Sequence, residues 1–272
     1  MKLVSLNEVP FALVMDCFKK AFANYFVKMP TDPLYYQKRF EVANVRYDLS
    51  YGVLIENQLI AFVIHAVDQR NLDFVAFNTG TGVDPPFQRQ GMIQHIYEHA
   101  LPILRAHGVN KLRLEVIQDN AAAIRCYQKI GMSVIRDYRC FKGTIEARTK
   151  PLNHQSIIWE NIQWSQIPHQ EFQSWDHHCY CLARGQYQFY HTFDQGIPQG
   201  FFAINRAQGY LAQAEVFSES PKSWDQMFAS IGQICPDIKI NNVDSRLKSK
   251  LSAIQRAQLN NTVDQYEMEM VI

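Results

Sequence analysis

Hydrophobic and polar positions along the first half of the chain predict a mixed α/β domain. Apolar residues three and four apart indicate helices, and alternation of apolar with polar residues indicates strands. The predicted elements are a strand at 2–6, helices at 9–23 and after Pro33, strands at 51–55, 59–67 and 72–79, a helix after Gly91, a strand at 111–117, a helix after Asn120, and two strands ending near 144. Strands and helices do not alternate from the start, which excludes a doubly wound nucleotide-binding fold.

A second run of elements follows a break in the pattern at residues 149–153, which we take as a domain boundary. The prediction is therefore two domains, at 1–149 and 150–272. The second contains predicted strands at 156–164, 186–193, 200–205 and 210–217, a helix at 223–234, a strand at 238–243, a helix at 245–258 and a strand at 265–272. This order repeats that of the back half of the first domain, so we predict an internal structural repeat with diverged sequence.

The composition is that of an ordinary folded protein, with 47% hydrophobic and 19% charged residues. With a net charge of +1, the chain lacks the basic excess that is typical of proteins that bind nucleic acid or anionic membranes. Residues 1–149 carry 18 basic and 14 acidic side chains, whereas 150–272 carry 9 and 12, so an anionic ligand would belong to the first half.

Targeting signals are not evident in the sequence. Asn7 and Glu8 interrupt the start of the chain before a signal-peptide core can form. The apolar runs fall short of the roughly 18 residues that a transmembrane helix needs. We therefore expect a cytoplasmic protein that has neither a membrane nor a nucleic acid as its partner.

Four side chains that can bind metals cluster between His177 and Cys181. We interpret this segment as a strand with packed cysteines. Neighbouring side chains of a strand point to opposite faces, so these ligands would not converge on one ion. No metal site is expected.

The first candidate site is the loop at 83–93. Pro85 and Pro86 end the preceding strand, because proline cannot donate to a β-ladder. A helix then begins after Gly91, and the free N–H groups and positive dipole of its N-terminus suit a pyrophosphate. Gly91 would allow close approach of the backbone, and Arg89 would add a positive charge. The glycine patterns of the Rossmann fold and the P-loop are absent, and a glycine at such a turn is more often structural.

The second candidate site joins the strand at 111–117 to the helix that follows it. Glu115 points to the face of the strand opposite Leu114. Asn120 is a predicted N-cap and Gly131 a predicted C-terminal glycine of the helix. Tyr127 lies on the apolar face of that helix, so by residue type alone it is most simply a core tyrosine.

The two motifs together resemble those of the GNAT superfamily of N-acetyltransferases. Gln88-x-x-Gly91 resembles the family's Q/R-x-x-G-x-G/A loop, and Asn120-x-x-Ala123-x-x-x-Tyr127-x-x-x-Gly131-Met132 resembles its N-x-x-A-x-x-x-Y-x-x-x-G-F helix. The segments 78–82 and 140–143 resemble one branch of bacterial GNAT proteins that carries a second, degenerate GNAT-like domain. The resemblance implies an α/β fold with a mixed sheet, an acyl-CoA N-acyltransferase domain at 1–149, and a smaller degenerate domain at 150–272 without the cofactor loop.

The resemblance also implies an activity, that of an acyltransferase which moves the acetyl group of acetyl-CoA to a primary amine of a small molecule or peptide by direct attack. Tyr127 matches the family's general acid. Glu115 is the candidate general base, and Asp73 on the neighbouring strand is the alternative, although each is more simply an ordinary strand carboxylate. The residues implied to contact the cofactor are Thr81, Gly82, Val83, Gln88, Arg89, Gln90, Gly91, Met92, Ile93 and Asn120.

Three further points bear on this resemblance. Ile93 stands where the loop motif has glycine or alanine, and we expect its side chain to point into the core rather than crowd the pyrophosphate. In the second domain the equivalent turn has no glycine, and Glu219 would repel a phosphate. That domain is expected to shape the acceptor pocket or a subunit contact.

Several alternatives stay open. The chain could instead be a non-catalytic acyl-CoA-binding module with a regulatory or assembly role. The aromatic residues Tyr25, Phe26, Tyr35 and Tyr36 lie where the family's acceptor-side helices begin, although core packing explains at least half of them. The acceptor's identity and the oligomeric state, including a homodimer, are undecided by the sequence.

Overall fold

The computed structural model describes residues 1–146 and 149–272, which form two compact units. Unit 1 comprises Met1–Ile135 and Glu267–Ile272, and unit 2 comprises Arg136–Tyr266. The boundary expected at residues 149–153 falls inside unit 2. The division into functional domains at 1–149 and 150–272 stays a prediction.

Unit 1 has the mixed α/β order that the hydrophobic pattern predicts, except that the two strands expected before residue 144 are one continuous strand. Its elements are β1 (Lys2–Ser5), α1 (Phe11–Ala21), α2 (Pro33–Ala43), β2 (Tyr51–Ile55), β3 (Gln58–Arg70), β4 (Asp73–Val83), α3 (Met92–Ala106), β5 (Lys111–Ile117), α4 (Ala121–Ile130), the start of β6 (Ser133–Thr144) and the end of β12 (Asn260–Val271). The sheet order is β1-β2-β3-β4-β5, with β4 and β5 parallel and the other neighbours antiparallel.

Alternation along β3 places the helices of unit 1 on opposite faces of the sheet. Phe62 and Ile64 belong to an apolar cluster with residues of α1 and α2. His65 packs instead against Tyr97 of α3, with ring centroids 5.7 Å apart. Because neighbouring strand residues point to opposite faces, α1 and α2 cover one face and α3 covers the other.

Unit 2 contains the second run of elements. They are the rest of β6 and of β12, with β7 (Asn153–Ile157), α5 (Cys179–Arg184), β8 (Gln188–Asp194), β9 (Ile197–Asn205), β10 (Tyr210–Val216), α6 (Pro221–Ile234), β11 (Asp237–Asp244) and α7 (Lys248–Arg256). As with β2 to β5, two antiparallel pairings lead from β8 through β9 to β10, and β10 is parallel to β11. Both units therefore have the same order and pairing of strands, which confirms the predicted repeat at the level of topology.

Two predicted strands of unit 2 are wrong. β7 ends at Ile157, and 3-10 turns at Trp159–Asn161 and Trp164–Gln166 replace the rest of the strand expected at 156–164. The cluster of histidines and cysteines is helical, because the side chain of His178 accepts a hydrogen bond from the Tyr180 N–H and caps α5. The interpretation of Cys179 and Cys181 as packed strand cysteines is thus replaced by a six-residue helix.

Membrane and metal features were sought over residues 1–146 and 149–272. Within these ranges no helix has both the length and the apolar character to cross a membrane. Over the same ranges, no group of three or more His, Cys, Asp or Glu side chains could hold a metal ion.

A buried carboxylate organises the interior of unit 2. Glu215 on β10 is 0% exposed and accepts hydrogen bonds from three side chains. The donors are Lys250 Nζ at 2.6 Å, His169 Nδ1 at 3.0 Å and Gln173 Nε2 at 3.0 Å. The hydrogen bond to Glu215 raises the pKa of His169. A buried carboxylate without such partners would be strongly destabilising, so the four side chains act as one structural group.

His65 is the buried titratable group of unit 1 whose protonation should matter most for stability. It is 0% exposed, and its Nδ1 lies 2.7 Å from the carbonyl oxygen of Leu49. Burial lowers the pKa of His65 to about 4 from the ordinary value of 6.5. The imidazole is therefore neutral in the folded protein at neutral pH.

The free energy of unfolding should fall as the pH drops from about 6.5 to about 4. In that window His65 becomes protonated in the unfolded chain but stays neutral in the folded chain. The free energy of unfolding therefore falls by about 3 kcal/mol in total. We expect His65→Gln to flatten the dependence, whereas His95→Gln, at an exposed position, should keep the wild-type slope. Urea unfolding at pH 7, 5.5 and 4.5 measures all three proteins. Equal slopes for His65→Gln and wild type would contradict the prediction.

Candidate functional site

The loop between β4 and α3 presents backbone N–H groups at a helix N-terminus. A 3-10 turn at Pro85–Phe87 ends the strand, and Arg89 and Gly91 then adopt left-handed backbone angles with φ of 62° and 76°. Left-handed residues beside right-handed ones turn successive N–H groups toward one point, a geometry that binds anions. Gly91 occupies the N-cap without a side chain that could cap the helix. The first turn of α3 therefore keeps its N–H groups for a ligand.

Two glutamine side chains of the loop donate hydrogen bonds to its own backbone. Gln88 Nε2 donates to the carbonyl of Val83 at 3.3 Å, and Gln90 Nε2 donates to the carbonyl of Pro86 at 3.1 Å. Arg89 is exposed, so its guanidinium is accessible to an anion. Ile93 is 7% exposed, which confirms the expectation that its side chain points into the core.

A gap between two parallel strands lies beside this loop. The register of β4 with β5 begins at Val75↔Lys111 and ends at Asn78↔Leu114. A bulge on β4, where the register with β3 passes from Asn78 to Gly80, sits at the point where the pairing with β5 ends. Bulges bend a strand and increase its twist. The described strands thus separate after Asn78, and the β5-facing edge of β4 from Thr79 to Val83 is open to a ligand.

Helix α4 contains Tyr127, which lies at this gap. Both ends of the helix are formed by the residues that the sequence predicts. The side chain of Asn120 accepts from the Ala123 N–H at 3.1 Å and caps the helix. Gly131 ends it with φ of 107°, and a Cβ there would stand 2.9 Å from Met270 Sδ. The backbone angle therefore favours glycine at this position, and an added Cβ would also have to displace the flexible Met270 side chain.

The Tyr127 hydroxyl lies among polar side chains of β4. Burial raises the pKa of Tyr127 to about 12, and hydrogen bonds with Thr81 and Asn78 act in the opposite direction. The ring is 8% exposed. Tyr127 is thus a protonated phenol at neutral pH, held at the gap between β4 and β5.

Tyr25, from the connection between α1 and α2, approaches the same place. Burial raises its pKa, and a side-chain hydrogen bond with Asn120 lowers it. Tyr25 also interacts electrostatically with Tyr127. Sequence reasoning treated Tyr25 as one member of an aromatic group, and it missed Asn78 and Tyr97 as site residues. Asn78 lies in the segment 78–82 noted for its resemblance, but neither spacing nor periodicity predicts its tertiary contact with Tyr97.

The two candidate bases have different surroundings. Glu115 is half-buried and follows Leu114, the last residue of β5 that pairs with β4, so it lies at the mouth of the gap. Asp73 begins β4 and is separated from Thr81 by about 25 Å of extended strand. Its carboxylate is 2.8 Å from Lys111 Nζ. The structure therefore does not bring Asp73 to the site.

The equivalent turn of unit 2 is built differently. Ser220 caps α6 by accepting from the Ser223 N–H at 3.0 Å, and Pro221 at the first helical position has no N–H to offer. The Glu219 carboxylate accepts from Trp224 Nε1 at 2.8 Å beside the same helix start. In this turn a side chain of the turn itself caps the helix, whereas no side chain caps the helix in the loop before α3, so the N–H groups there stay open.

Comparison with known proteins finds a family model that matches the part of the chain containing this geometry. Residues 13–132 match the model of the Acetyltransferase (GNAT) family. That range contains the loop, the gap between β4 and β5, and Tyr127. Over these 120 of its 272 residues the chain is therefore similar to the GNAT acetyltransferase family. Its fold is an α/β GNAT fold with a mixed sheet, and a second GNAT-like part follows.

A curated relative and two solved structures illustrate the likeness. The ribosomal protein bS18-alanine N-acetyltransferase of Escherichia coli K12 is 33% identical over 102 residues, which cover 37% of this chain and 65% of the relative. A putative acetyltransferase from Pyrococcus horikoshii has a TM-score of 0.70 at 12% identity, covering 100% of this chain and 88% of that one. A tandem GNAT protein from the clavulanic acid biosynthesis pathway has a TM-score of 0.67 at 12% identity, covering 99% and 98%. At such identity the two structures show the fold alone.

Two glycines at the site should respond differently to an added methyl group. Gly91→Ala should lower the free energy of unfolding by about 1 kcal/mol, because φ is positive there but the space is open. Gly82→Ala should cost about 2 kcal/mol or more, because its Cβ would stand 2.7 Å from the Phe62 ring. Gly196→Ala, with φ of 83° and equally open space, is the matched control for Gly91→Ala. Urea unfolding measures the three variants, and a larger loss for Gly91→Ala than for Gly82→Ala would contradict this interpretation.

Proposed function

We propose that the chain is an N-acetyltransferase that transfers the acetyl group of acetyl-CoA to a primary amine of a small molecule or peptide. The observation that carries the proposal is the meeting of an anion-binding loop, a gap between parallel strands and a buried phenol within residues 13–132, the range that matches the family model. The proposed cofactor is acetyl-CoA, which supplies the acetyl group as a thioester.

The loop and the β4 edge would hold the cofactor. N–H groups from Arg89 to Ile93 would bind the pyrophosphate, with Gln88 beside them in the same loop and the exposed Arg89 adding charge. Backbone groups of Thr81, Gly82 and Val83 on the open edge of β4 would bind the pantetheine arm, as a strand binds a neighbour. Further contacts of the same site would come from Met92 and Asn120. The burial of Ile93 supports this arrangement, because its branched side chain packs into the core instead of crowding the proposed phosphate position.

Tyr127 and Glu115 would carry the proton transfers. The amine nitrogen attacks the thioester carbonyl carbon, and the bond from that carbon to sulfur breaks. Tyr127 gives its proton to the departing sulfur, which its high pKa allows because the phenol is still protonated at neutral pH. Glu115, at the mouth of the gap, accepts the proton that the amine loses.

The acceptor is proposed only as a class. The relative from E. coli is named for an alanine of a ribosomal protein, so peptides that begin with alanine come first in an acceptor panel, followed by small primary amines.

For unit 2 we propose a fold retained without cofactor binding. Ser220, Pro221 and Glu219 at the start of α6 support this, because Ser220 occupies the Ser223 N–H, Pro221 has no N–H, and Glu219 places a carboxylate beside the helix start.

Calorimetry should detect one acetyl-CoA bound per chain. Gly91→Glu should abolish binding, because a carboxylate would then stand where the pyrophosphate is proposed to bind. Glu219→Gln, the matched change at the equivalent turn of unit 2, should leave both affinity and stoichiometry as in wild type. Absence of binding at millimolar acetyl-CoA would end the proposal, and two sites per chain would refute the assignment for unit 2.

Tyr127→Phe should lower kcat about 100-fold while changing the dissociation constant of acetyl-CoA by no more than about twofold. The hydroxyl is needed when the thiolate leaves, but it contributes little to ground-state binding. Thiol release over the amine panel measures the rate, and calorimetry measures the affinity. Tyr180→Phe, at an exposed position of unit 2, is the control. Equal rates for Tyr127→Phe and wild type would remove the acid role.

A further inference from the structure

Aromatic side chains are concentrated in the segment that follows α1. Five of the fifteen residues at 22–36 are aromatic, whereas aromatic residues make up 12% of the whole chain. Phe26 is 56% exposed and Tyr35 is 38% exposed, and the neighbouring Val27 and Leu34 are exposed as well. Single exposed apolar side chains are common on protein surfaces, but a group of them marks a place where a ligand or partner binds.

Three rings of this segment contact one another in series. The ring centroids of Phe22 and Tyr25 are 4.9 Å apart, and those of Tyr25 and Phe26 are 5.5 Å apart. Both pairs meet edge to face, at interplanar angles of 76° and 87°, which is a favourable geometry for aromatic rings. The connection at 22–32, although no helix or strand is described there, is thus held by ring contacts.

The first turn of α2 adds Tyr35 to the same group. The ring centroids of Tyr35 and Tyr36 are 5.1 Å apart, and that of Tyr36 is 4.5 Å from the Phe18 ring. Phe18 in turn stacks on Phe22 at 4.3 Å. The buried Tyr36 and Phe18 therefore join the exposed rings of both elements. We term the four outer rings the aromatic patch, which consists of Phe22, Tyr25, Phe26 and Tyr35.

The patch begins beside the open edge of β4. Phe18 stacks on Phe62 of β3 at 6.0 Å, and a Cβ on Gly82 would stand 2.7 Å from the same Phe62 ring. That Cβ would also stand 2.9 Å from the Cβ of Ala21, the last residue of α1. Gly82 is one of the residues proposed to hold the arm of acetyl-CoA. The patch therefore follows along the chain from the point at which α1 meets the proposed cofactor site.

The two faces of the sheet leave different sides open to a second substrate. The loop proposed to hold the pyrophosphate leads into α3, which covers one face. Helix α1 lies on the other face, where Ala21 packs against Gly82. An acceptor has to reach the thioester on a side that the cofactor does not occupy, and the segment after α1 lies on that side.

Charge in the segment favours an apolar group of the acceptor over a second cationic one. Residues 22–36 contain one basic residue, Lys28, and one acidic residue, Asp32. The Asp32 carboxylate accepts from the Leu34 N–H at 3.0 Å and caps α2. Lys28 lies in the same connection as Phe26 and would repel a second ammonium group.

We propose that the aromatic patch binds the carbon skeleton of the acceptor, and that the acceptor is a primary amine carried on an aromatic or large apolar group. The inference rests on the proposed function, because the amine held by the patch is the one that attacks the thioester. Affinity would come from apolar area removed from water and from ring contacts. A short aliphatic amine would leave most of the patch in water.

The first test compares amines that differ by one ring. 2-Phenylethylamine and ethylamine carry the same reacting group, and kcat/KM should be about 10-fold to 100-fold higher for 2-phenylethylamine. Phenylalaninamide and alaninamide make the same comparison for an α-amine like that of a peptide. Whichever pair shows the greater selectivity identifies the source of the acceptor, a free amine or a peptide N-terminus.

Phe26→Ser should lower that selectivity about 10-fold, because the most exposed ring of the patch is lost. Tyr35→Ser should act in the same direction. Leu72→Ser is the matched control, since Leu72 is 96% exposed at the opposite end of β4 from Gly82, and its selectivity should equal that of wild type. All three positions are exposed, so the urea midpoints should stay as in wild type and show that each variant is folded.

The second test measures binding without turnover. In the presence of CoA, saturation-transfer NMR should show magnetisation passing from the protein to the phenyl protons of 2-phenylethylamine. The signal should be lost in Phe26→Ser and kept in Leu72→Ser. A role of the patch in folding alone would leave this signal unchanged in both variants.

The outcomes separate the two proposals. Equal kcat/KM values within both pairs of amines, or an equal loss of selectivity in Leu72→Ser, would overturn the inference and leave the proposed function intact. A higher kcat/KM for putrescine than for 2-phenylethylamine would show that the rings bind a cation, and it would overturn the inference too. Failure of the wild type to turn over any amine would overturn the proposed function, and the NMR experiment would then still decide whether the patch binds an aromatic amine.

Discussion

The end of pairing between β4 and β5 is the constraint on which the candidate site depends. Parallel strands satisfy each other's backbone groups only while they stay about 4.8 Å apart, and here that ends at Asn78↔Leu114. Beyond this point the facing edge of β4 needs another partner. The same separation leaves room for Tyr127 from α4 and directs the strand end into the loop before α3. The proposed cofactor binding and the proposed proton transfer would therefore both depend on the point at which this strand pairing ends.

Features that depend on a few neighbouring residues could be predicted from the sequence. Asn120 caps α4, Gly131 ends it in a left-handed conformation, and Gly91 begins α3, each because a local backbone requirement selects that residue type. The strand with Glu115 was also predicted within its observed bounds, since its alternation is regular. Asp73 lies on the strand that was predicted for it. Alternation of apolar and polar residues does not show which end of a strand lies near another element, so the distance of Asp73 from the site could not be predicted.

Features that depend on distant contacts escaped prediction. Asn78 belongs to the segment 78–82 that resembles a family motif, but nothing in that segment predicts its contact with Tyr97, 19 positions along the chain. Helix α5 was predicted as a strand because six residues are too few to establish a helical period, and its cap, His178, is not a typical capping residue. The two units also show that similar strand pairing does not fix the local detail at a helix start. Gly91 leaves the start of α3 without a side-chain cap, whereas Ser220 caps the start of α6.

The buried group around Glu215 restricts how unit 2 can change over evolutionary time. Replacing Lys250 alone would leave the fully buried Glu215 carboxylate without its ammonium partner, and replacing Glu215 alone would leave the ammonium of Lys250 without its carboxylate. Each single step passes through a poorly folded intermediate, whereas a simultaneous apolar replacement of the whole group need not. Lineages of this protein should therefore keep these side chains together or lose them together, even where the surrounding loops diverge freely.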